Sequence, residues 1–574
     1  MARALPAATA APLGWRATLG LEHLAMGGAV LALAVLVVLP LLSLVGGSLT
    51  AEGRLTLEHF RSAFGQRLYV QASLNSLVLG VATAVLSILI GFPMAWAVSR
   101  TDLPAKAFVH LTATLAYLTP PFLTAIAFVN LASPNAGLWN RLVRDTLGWS
   151  GLTVDIFTMP GLIGVTALHT FPFVYFLAAS ALTSVDASVE DAARILGAGR
   201  WRIAIRITAP LVAPAVLSGA LLAFVNAIAL FGSQAILGLP GRVFTLPTRI
   251  YTLFDYPPQY GLASALSLVF VALTVLALAL QRAYLAKRSY VTLGGKGMRR
   301  EPVALGRARW GVLAFCVAVF LVAIVAPYAT LVAVSFSRSW GLQFWQNLTL
   351  AHYRFVLFEY DVTRRAILNS LILATLTATT AVLLGSVISW LDLRTRIVGR
   401  RWLDYASLVP LGLPGIVMAV ALIQFWLRVP VPLYGTLAIL LLAYTARFIP
   451  LGVRAANAAL RQVDPSLEET ARITGAGWLR TLRRVTLPLC RPGLVAGWLL
   501  VFVPAIQELS ASILLFSAES ITLAVAVYNL YETGYLEPVA ALAIVNMVII
   551  AVALALARRL GRGAAGGERV AVSQ

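Results

Sequence analysis

Residues 190–210 read EDAARILGAGRWRIAIRITAP, and residues 468–488 read EETARITGAGWLRTLRRVTLP. Both stretches share a spaced pattern of an acid, a small residue, alanine, glycine, a β-branched residue and proline. The positions that carry it are Asp191, Ala192, Ala193, Gly197, Ile207 and Pro210 in the first copy, and Glu469, Thr470, Ala471, Gly475, Val485 and Pro488 in the second. Each copy is a polar stretch between long apolar runs, which predicts two related loops held at a membrane surface.

Each copy is expected to begin as a short helix. Ser188 and Ser466 each stand three residues before an acid, as in a capping box, and Pro465 suits a first helical turn. A glycine with a positive φ would end each helix sharply. The candidates for that role are Gly197 or Gly199 in the first copy, and Gly475 or Gly477 in the second.

The first of these helices would carry a narrow apolar stripe at helical spacing. The stripe consists of Val189, Ala192, Ala193 and Leu196. Small residues on such a stripe let a partner lie close to the backbone. A single stretch of this kind is most often an ordinary amphipathic surface helix, but two copies with matched spacing favour a pair of docking helices.

The two copies resemble the EAA loop of permease subunits of binding-protein-dependent ABC importers. This resemblance implies that each loop forms a helix that docks into a groove on a separate ATPase. The residues it would assign to docking are Glu190, Asp191, Ala192, Ala193, Gly197 and Pro210, and Glu468, Glu469, Ala471, Gly475 and Pro488. The departures from the family pattern, such as Asp191 for Glu and Thr470 for Ala, are mild in size and charge.

The composition is that of a helical membrane protein. The 574 residues are 60% hydrophobic and 12% charged, with a mean hydropathy of +0.86, and uncharged runs of about 20 residues recur throughout. The short alternating segments typical of a transmembrane barrel are not found. The class predicted is therefore an all-α polytopic membrane protein.

Twelve apolar runs predict twelve spans, six in each half. Those of the first half fall near Met26–Ser48, Ser73–Val98, Ala107–Leu131, Met159–Leu182, Leu211–Leu237 and Gly261–Leu280. Those of the second half fall near Trp310–Phe336, Ala366–Trp390, Leu403–Leu427, Tyr434–Ala458, Leu494–Phe516 and Val539–Ala557. Because each half has an even number of spans, both run in the same sense and present their docking loops on one side, as parallel repeats do.

The predicted domains follow from these runs. A first domain at 1–282 holds the docking loop 186–210, and a second domain at 310–558 holds the docking loop 464–488. A basic cytoplasmic linker at 283–309 joins them, and a basic tail occupies 559–574.

The net charge of +21 does not indicate nucleic-acid binding. With a cytoplasmic N-terminus, most Lys and Arg residues fall in segments that face inward, which follows the positive-inside rule. Basic loops then face the anionic lipids of the inner leaflet, worth about 1 kcal/mol per residue near the surface. We expect a multi-pass inner-membrane protein with both termini in the cytoplasm.

Three ionisable residues lie at membrane depth: His169, Arg447 and Glu508. In the repeat, His169 and Arg447 are equivalent, each three residues before a proline, whereas Glu508 is equivalent to Leu230. Charges in hydrocarbon are costly and mark either a function or a structural pair. These residues therefore line the translocation path, or they tie helices together.

No stretch offers catalytic or nucleotide chemistry. The run Gly294-Gly295-Lys296-Gly297 lacks the spacing of a P-loop, and no paired carboxylates or HExxH motif occur in a span. Cys316 and Cys490 stand in unlike settings, so neither a disulfide nor a metal site is expected. We expect a transport permease, not an enzyme, with no cofactor of its own and with ATP and Mg bound on the partner ATPase.

The segments FVNAIALFGSQAILG (224–238), LPTRIYTLFDYPPQYGLASALSLVF (246–270) and QELSASILLF (507–516) resemble the fused two-domain permeases of the iron(III) type. The resemblance implies two homologous six-helix type I importer domains related by pseudo-two-fold symmetry. Its implied partners are a periplasmic binding protein and a homodimer of a cytoplasmic ABC ATPase. Relatives that carry 2-aminoethylphosphonate, thiamine or polyamine remain alternatives for the solute, and an ion-coupled secondary transporter is a more distant one.

Overall fold

The structure is a computed structural model that describes residues 14–148, 150–185, 187–286 and 302–566. Within these ranges the chain is almost wholly helical, with one small hairpin of strands Thr50–Ala51 and Arg54–Leu55. Ten described helices are long and apolar enough to cross a membrane, and two bent pairs raise the number to twelve if each pair is one span.

The spans are numbered here in chain order. The first six are Glu22–Ser48, Arg67–Arg100, the bent pair Lys106–Leu118 and Pro121–Ala132, Met159–Ser184, Ala204–Ala229 and Tyr260–Tyr284. The last six are Ala308–Phe336, Asp361–Arg394, the bent pair Arg400–Gly412 and Gly415–Trp426, Leu437–Arg461, Trp478–Ile506 and Leu536–Ala555. Shorter helices between them include Glu58–Gly65, Leu138–Arg141, Ala187–Ile195, Phe231–Gly238, Leu246–Thr252, Ala351–Arg354, Pro465–Ile473, Ser512–Leu515 and Leu523–Glu532.

Helices continue past two predicted domain ends. The helix of the sixth span reaches Ala286, and the last helix reaches Gly566. The rest of the predicted linker and tail, at 287–301 and 567–574, lies outside the described residues.

Within each half, glycines bring two spans into close contact. The second and fourth spans cross at Gly91, where an added Cβ would lie 2.6 Å from the carbonyl oxygen of Phe171. The eighth and tenth spans cross at Gly385 and Gly452, each of which faces backbone atoms of the other helix. Small residues permit such backbone approach between membrane helices. The fifth and eleventh spans complete these two three-helix groups.

The two halves exchange their first spans. The first span packs against the eighth and ninth spans of the other half, and the seventh span packs against the third. Each leading helix also contacts the last span of its own half. The halves are consequently intertwined, with the central space between the two three-helix groups.

The third and ninth spans, predicted near Ala107–Leu131 and Leu403–Leu427, are each broken into two helices. Their two parts meet at angles of 97° and 112°. Thr119 and Leu413 adopt extended backbone conformations immediately before Pro120 and Pro414. A proline disfavours helix at the residue before it, which explains both breaks.

The fifth and eleventh spans also end earlier than predicted. Their helices stop at Ala229 and Ile506, and short helices follow each break. Glu508 therefore lies in a non-helical segment, not within the helix predicted for Leu494–Phe516. The Phe231 N–H donates to Ser510 Oγ at 3.3 Å, so the two breaks stabilise each other across the halves.

Candidate functional site

Both predicted docking helices form, as Ala187–Ile195 and Pro465–Ile473. Pro465 occupies the first turn, as expected, but the cap is Asp464. Asp464 Oδ1 accepts from the Ser466 N–H at 2.9 Å, and this bond lowers the pKa of Asp464 below its ordinary value. Capping by Ser466 is therefore a wrong prediction, because Ser466 already lies inside the helix. The side chain of Ser188 is outside the described residues.

Gly197 and Gly475 end the two helices. Their φ angles are +78° and +88°, in the left-handed region that glycine adopts without strain. The next residue in each copy donates its N–H back into the helix, from Ala198 to Ala193 and from Ala476 to Ala471, each at 2.9 Å. This is the Schellman arrangement, and it explains why a glycine stands at positions 197 and 475.

The proline of each copy shapes the start of the following span. The helix widens into π-helical turns at Ala204–Thr208 and Leu482–Thr486, which end two residues before Pro210 and Pro488. A proline lacks an N–H and clashes with the carbonyl four residues earlier, and a wider turn relieves that clash. The same turns precede Pro40 and Pro327 in the first and seventh spans.

Glu190 faces the interior of the protein. Its Oε1 lies 3.0 Å from Arg100 Nη1 and accepts from the Thr208 hydroxyl at 2.6 Å. The side chains of Arg100 and Glu190 are 6% and 12% exposed. This three-residue contact is called the first clamp below.

Glu468 makes the equivalent contact in the second half, called the second clamp. Its Oε1 lies 3.4 Å from Arg394 Nε and accepts from the Thr486 hydroxyl at 2.9 Å. Arg394 Nη2 also donates to the carbonyl oxygens of Leu460 and Val463, at 3.1 and 2.7 Å. The sequence grouped Glu190 and Glu468 with the docking residues, whereas both carboxylates point inward.

The outer surface of each docking helix is apolar near its end. Ile195 and Ile473 occupy equivalent positions and are both 86% exposed. Leu196 and Val189 of the predicted stripe are exposed as well. Sequence reasoning missed the two isoleucines, although their identical place before Gly197 and Gly475 was a usable signal.

The other predicted docking residues divide by exposure. Ala192, Gly197, Glu469, Gly475 and Pro488 are exposed, and Ala193, Pro210 and Ala471 are half-buried. The described structure does not include the side chain of Asp191. The exposed residues and the isoleucines are available to a partner.

Both docking helices lie on the same side of the membrane. The Val303 N–H donates to the Arg100 carbonyl oxygen at 2.8 Å, so the second half begins beside the first clamp. The seventh span crosses away from there, and the eighth span crosses back to end at Arg394. Arg394 holds the second docking helix. Two full crossings therefore return the chain to the side that carries the first docking helix.

A cavity of about 350 Å³ lies where the four breaks meet, between the two halves. His169, Arg447 and Glu508 all border it. Non-helical backbone at membrane depth is tolerated where it lines a cavity, and transporters place their solute sites at such breaks. The structure thus brings the three sequence-predicted path residues together in one place.

Arg447 and Glu508 form an ion pair in this cavity. Arg447 Nη1 lies 3.0 Å from Glu508 Oε1, which also accepts from the Ala511 N–H at 2.8 Å. Gly415 provides the space for the guanidinium, since an added Cβ there would overlap Arg447 Nη1. Sequence reasoning missed Gly415, which directly follows Pro414.

His169 and Gln507 also belong to the polar part of the lining. His169 Nδ1 has no hydrogen-bond partner in the part of the chain that the structure describes. Gln507 Nε2 donates to the Leu118 carbonyl oxygen at 3.1 Å, a group freed by the break in the third span. The cavity therefore has one imidazole, one ion pair and mostly apolar walls.

Twin docking helices on one side and a cavity between two repeats define a membrane transport permease that a separate motor drives. Residues 87–290 and 381–565 match the family described as the inner membrane component of binding-protein-dependent transport systems. The chain belongs to this family, with both domains fused in one polypeptide. It is therefore an ABC-importer permease and not an enzyme, and its partners are an ATPase and a binding protein.

The chain is similar to permeases from several bacteria. It is 28% identical to a putative ferric transport system permease protein, FbpB 1, of Haemophilus influenzae, over 81% of this chain and 72% of that protein. It is 26% identical to the ferric transport system permease protein FbpB of Actinobacillus pleuropneumoniae, over 82% and 68%. The molybdenum transport system permease protein ModB of Escherichia coli is 31% identical over 36% of this chain and 90% of its own length.

Proposed function

We propose that this chain moves ferric iron, delivered by a periplasmic binding protein, into the cytoplasm. Two relatives named for ferric transport align with most of the chain, which supports iron over the other solutes. The cavity has the volume of a site for a small solute. The proposed location is the inner membrane, with both termini in the cytoplasm.

The observation that carries the transport mechanism is the pair of docking helices. Each exposes an isoleucine at the same position, Ile195 and Ile473, and both lie on one side. Two equivalent docking helices fit two copies of one ATPase, so the proposed motor is an ATPase homodimer. ATP and Mg bind on the ATPase, and this chain forms the path by which the solute crosses the membrane.

Alternating access would come from opening the cavity to one side of the membrane at a time. The Arg447–Glu508 pair joins the tenth span to the break after the eleventh and borders the cavity. Separation of these two spans would break the pair and open the cavity towards one side. Substrate release from the binding protein would then be coupled to the approach of the two ATPases.

The test is reconstitution of the full chain with its co-purified ATPase in lipid vesicles. Binding protein loaded with radioactive ferric iron is added outside, with ATP inside. We expect accumulation that requires ATP and is not reduced by 2-aminoethylphosphonate, thiamine or polyamine. Uptake driven by an ion gradient without ATP, or a chain that retains no ATPase, would reject the mechanism. Transport of another solute with ATP dependence would reject only iron.

A further inference from the structure

The two clamps are buried contacts, separate from the exposed docking surface, and each joins three elements. In the first clamp, Glu190 belongs to the docking helix, Arg100 ends the second span and Thr208 lies on the turn that opens the fifth span. The second clamp repeats this with the second docking helix and the eighth and eleventh spans. Each docking helix is therefore held, through its glutamate side chain, to two spans of its own half.

We infer that the clamps make each docking helix a rigid lever, so that a displacement imposed by the ATPase moves two spans together. Glu190 and Glu468 are then positioning residues, which touch neither ATP nor the solute. The inference rests on the proposed function only in that an ATPase moves these helices. It assigns to these glutamates a role distinct from contact with the motor.

The docking helices need such a connection. Each is nine residues long, and each ends at a glycine with positive φ, where the chain can hinge. Their outer faces are exposed, so packing on that side does not hold them. The clamp side chains are at most 12% exposed, and removal of one charge would leave its partner buried and uncompensated.

The second clamp joins the two spans that lead to the ion pair in the cavity. Arg394 binds carbonyl oxygens at Leu460 and Val463, where the tenth span ends, and Glu468 binds the turn of the eleventh span. Arg447 lies on the tenth span, and Glu508 lies in the break after the eleventh. Movement of the second docking helix thus reaches both partners of the ion pair through contiguous contacts.

The experiment compares uptake per ATP hydrolysed in the reconstituted complex. The variants are Glu190→Gln, Glu468→Gln and both together. We expect the ATPase to remain bound and uptake per ATP to fall about fivefold in the double variant, within the range of coupling mutations. The matched control is Arg461→Gln, which removes an exposed cytoplasmic charge whose bond to Asn457 lies within its own helix.

Exchanging the two charges of a clamp tests whether the ion pair itself, and not the identity of either side chain, sets the uptake per ATP. Arg100→Glu with Glu190→Arg restores opposite charges in the first clamp. We expect exchange to recover most of the uptake per ATP that either single charge change loses. An unchanged ratio in the glutamine variants, with only the amount of complex reduced, would overturn the inference and leave the clamps as fold-stabilising contacts.

If the glutamine variants fail to assemble, Thr208→Val with Thr486→Val decides the matter. Valine keeps the shape and the ion pairs but removes both hydroxyl donors. A reduced uptake per ATP supports the lever, and a wild-type ratio overturns it. The proposed function fails differently, since the wild-type chain itself would then lack an ATPase or ATP-dependent uptake.

Discussion

Arg447 Nη1 lies 3.0 Å from Glu508 Oε1, whereas the equivalent positions of the other half hold His169 and Leu230. The cavity lies between two repeated halves, but only the second half contributes a pair of opposite charges to it at these positions. The carboxylate is 5% exposed and also accepts a backbone N–H, so it is held by two donors. This pair is the first target for mutation.

Replacement of Glu508 by Gln should impair transport without loss of the ATPase. Gln cannot supply the charge that pairs with Arg447, so the guanidinium is left uncompensated and we expect uptake to fall about tenfold, which corresponds to about 1.4 kcal/mol. The measurement is ATP-dependent uptake at equal amounts of complex. Arg365→Gln, which removes a charge from an exposed ion pair with Glu519, should change uptake little. Wild-type uptake by Glu508→Gln would contradict a role of this pair in transport.

Gly415→Ala should reproduce that defect without removing any charge. The added methyl group would occupy the place of Arg447 Nη1 and force the guanidinium away from Glu508. We expect lower uptake and a lower thermal midpoint of the purified chain. The control is Gly311→Ala, a helical glycine with open space around it, where alanine should stabilise by up to about 1 kcal/mol. Equal uptake by both variants would show that the space at Gly415 is dispensable.

Gly475→Ala should weaken binding of the ATPase. Alanine at φ +88° costs about 1 kcal/mol, which would distort the end of the docking helix beside Ile473. The measurement is the ATPase retained per permease during purification. Gly477→Ala, two residues further on at φ −66°, should retain the wild-type amount. A similar loss in both variants would indicate that the turn geometry is not the cause.

Ile195→Asp together with Ile473→Asp should abolish stable docking. The change places two charges on the surfaces proposed to meet the motor, and burying an unpaired carboxylate is strongly unfavourable. We expect the ATPase to be lost on purification while the permease keeps its thermal midpoint, since both side chains are 86% exposed. Val398→Asp, at a 94% exposed position beside the eighth span, is the control. Retention of the ATPase by the double variant would place docking elsewhere.

Local features of the docking loops could be predicted because glycine and proline act through their own backbones. Gly197, Gly475 and Pro465 behave as their residue types require. The different exposure of Glu468 and Glu469 also follows from helix geometry, since successive residues are about 100° apart. Glu468, which is predicted together with Glu469 among the docking residues, is the buried member of the two.

The breaks and the exchanged first spans depend on contacts between the halves. Pro120 and Pro414 signal the bends of the third and ninth spans, but nothing local marks the breaks at Leu230 and Glu508. Those are stabilised by bonds such as the one from Phe231 to Ser510. Hydropathy also cannot choose helix partners, because lipid tails are as apolar as neighbouring side chains.

The one-sided ion pair has a consequence for the ancestry of the molecule. A chain made of two first halves would face two imidazoles across its centre and have no acid there. A chain made of two second halves would carry two guanidiniums and two carboxylates. Since His169 and Arg447 occupy matching places, the halves have diverged into complementary parts. Fusion in one polypeptide guarantees that every assembled transporter receives one of each.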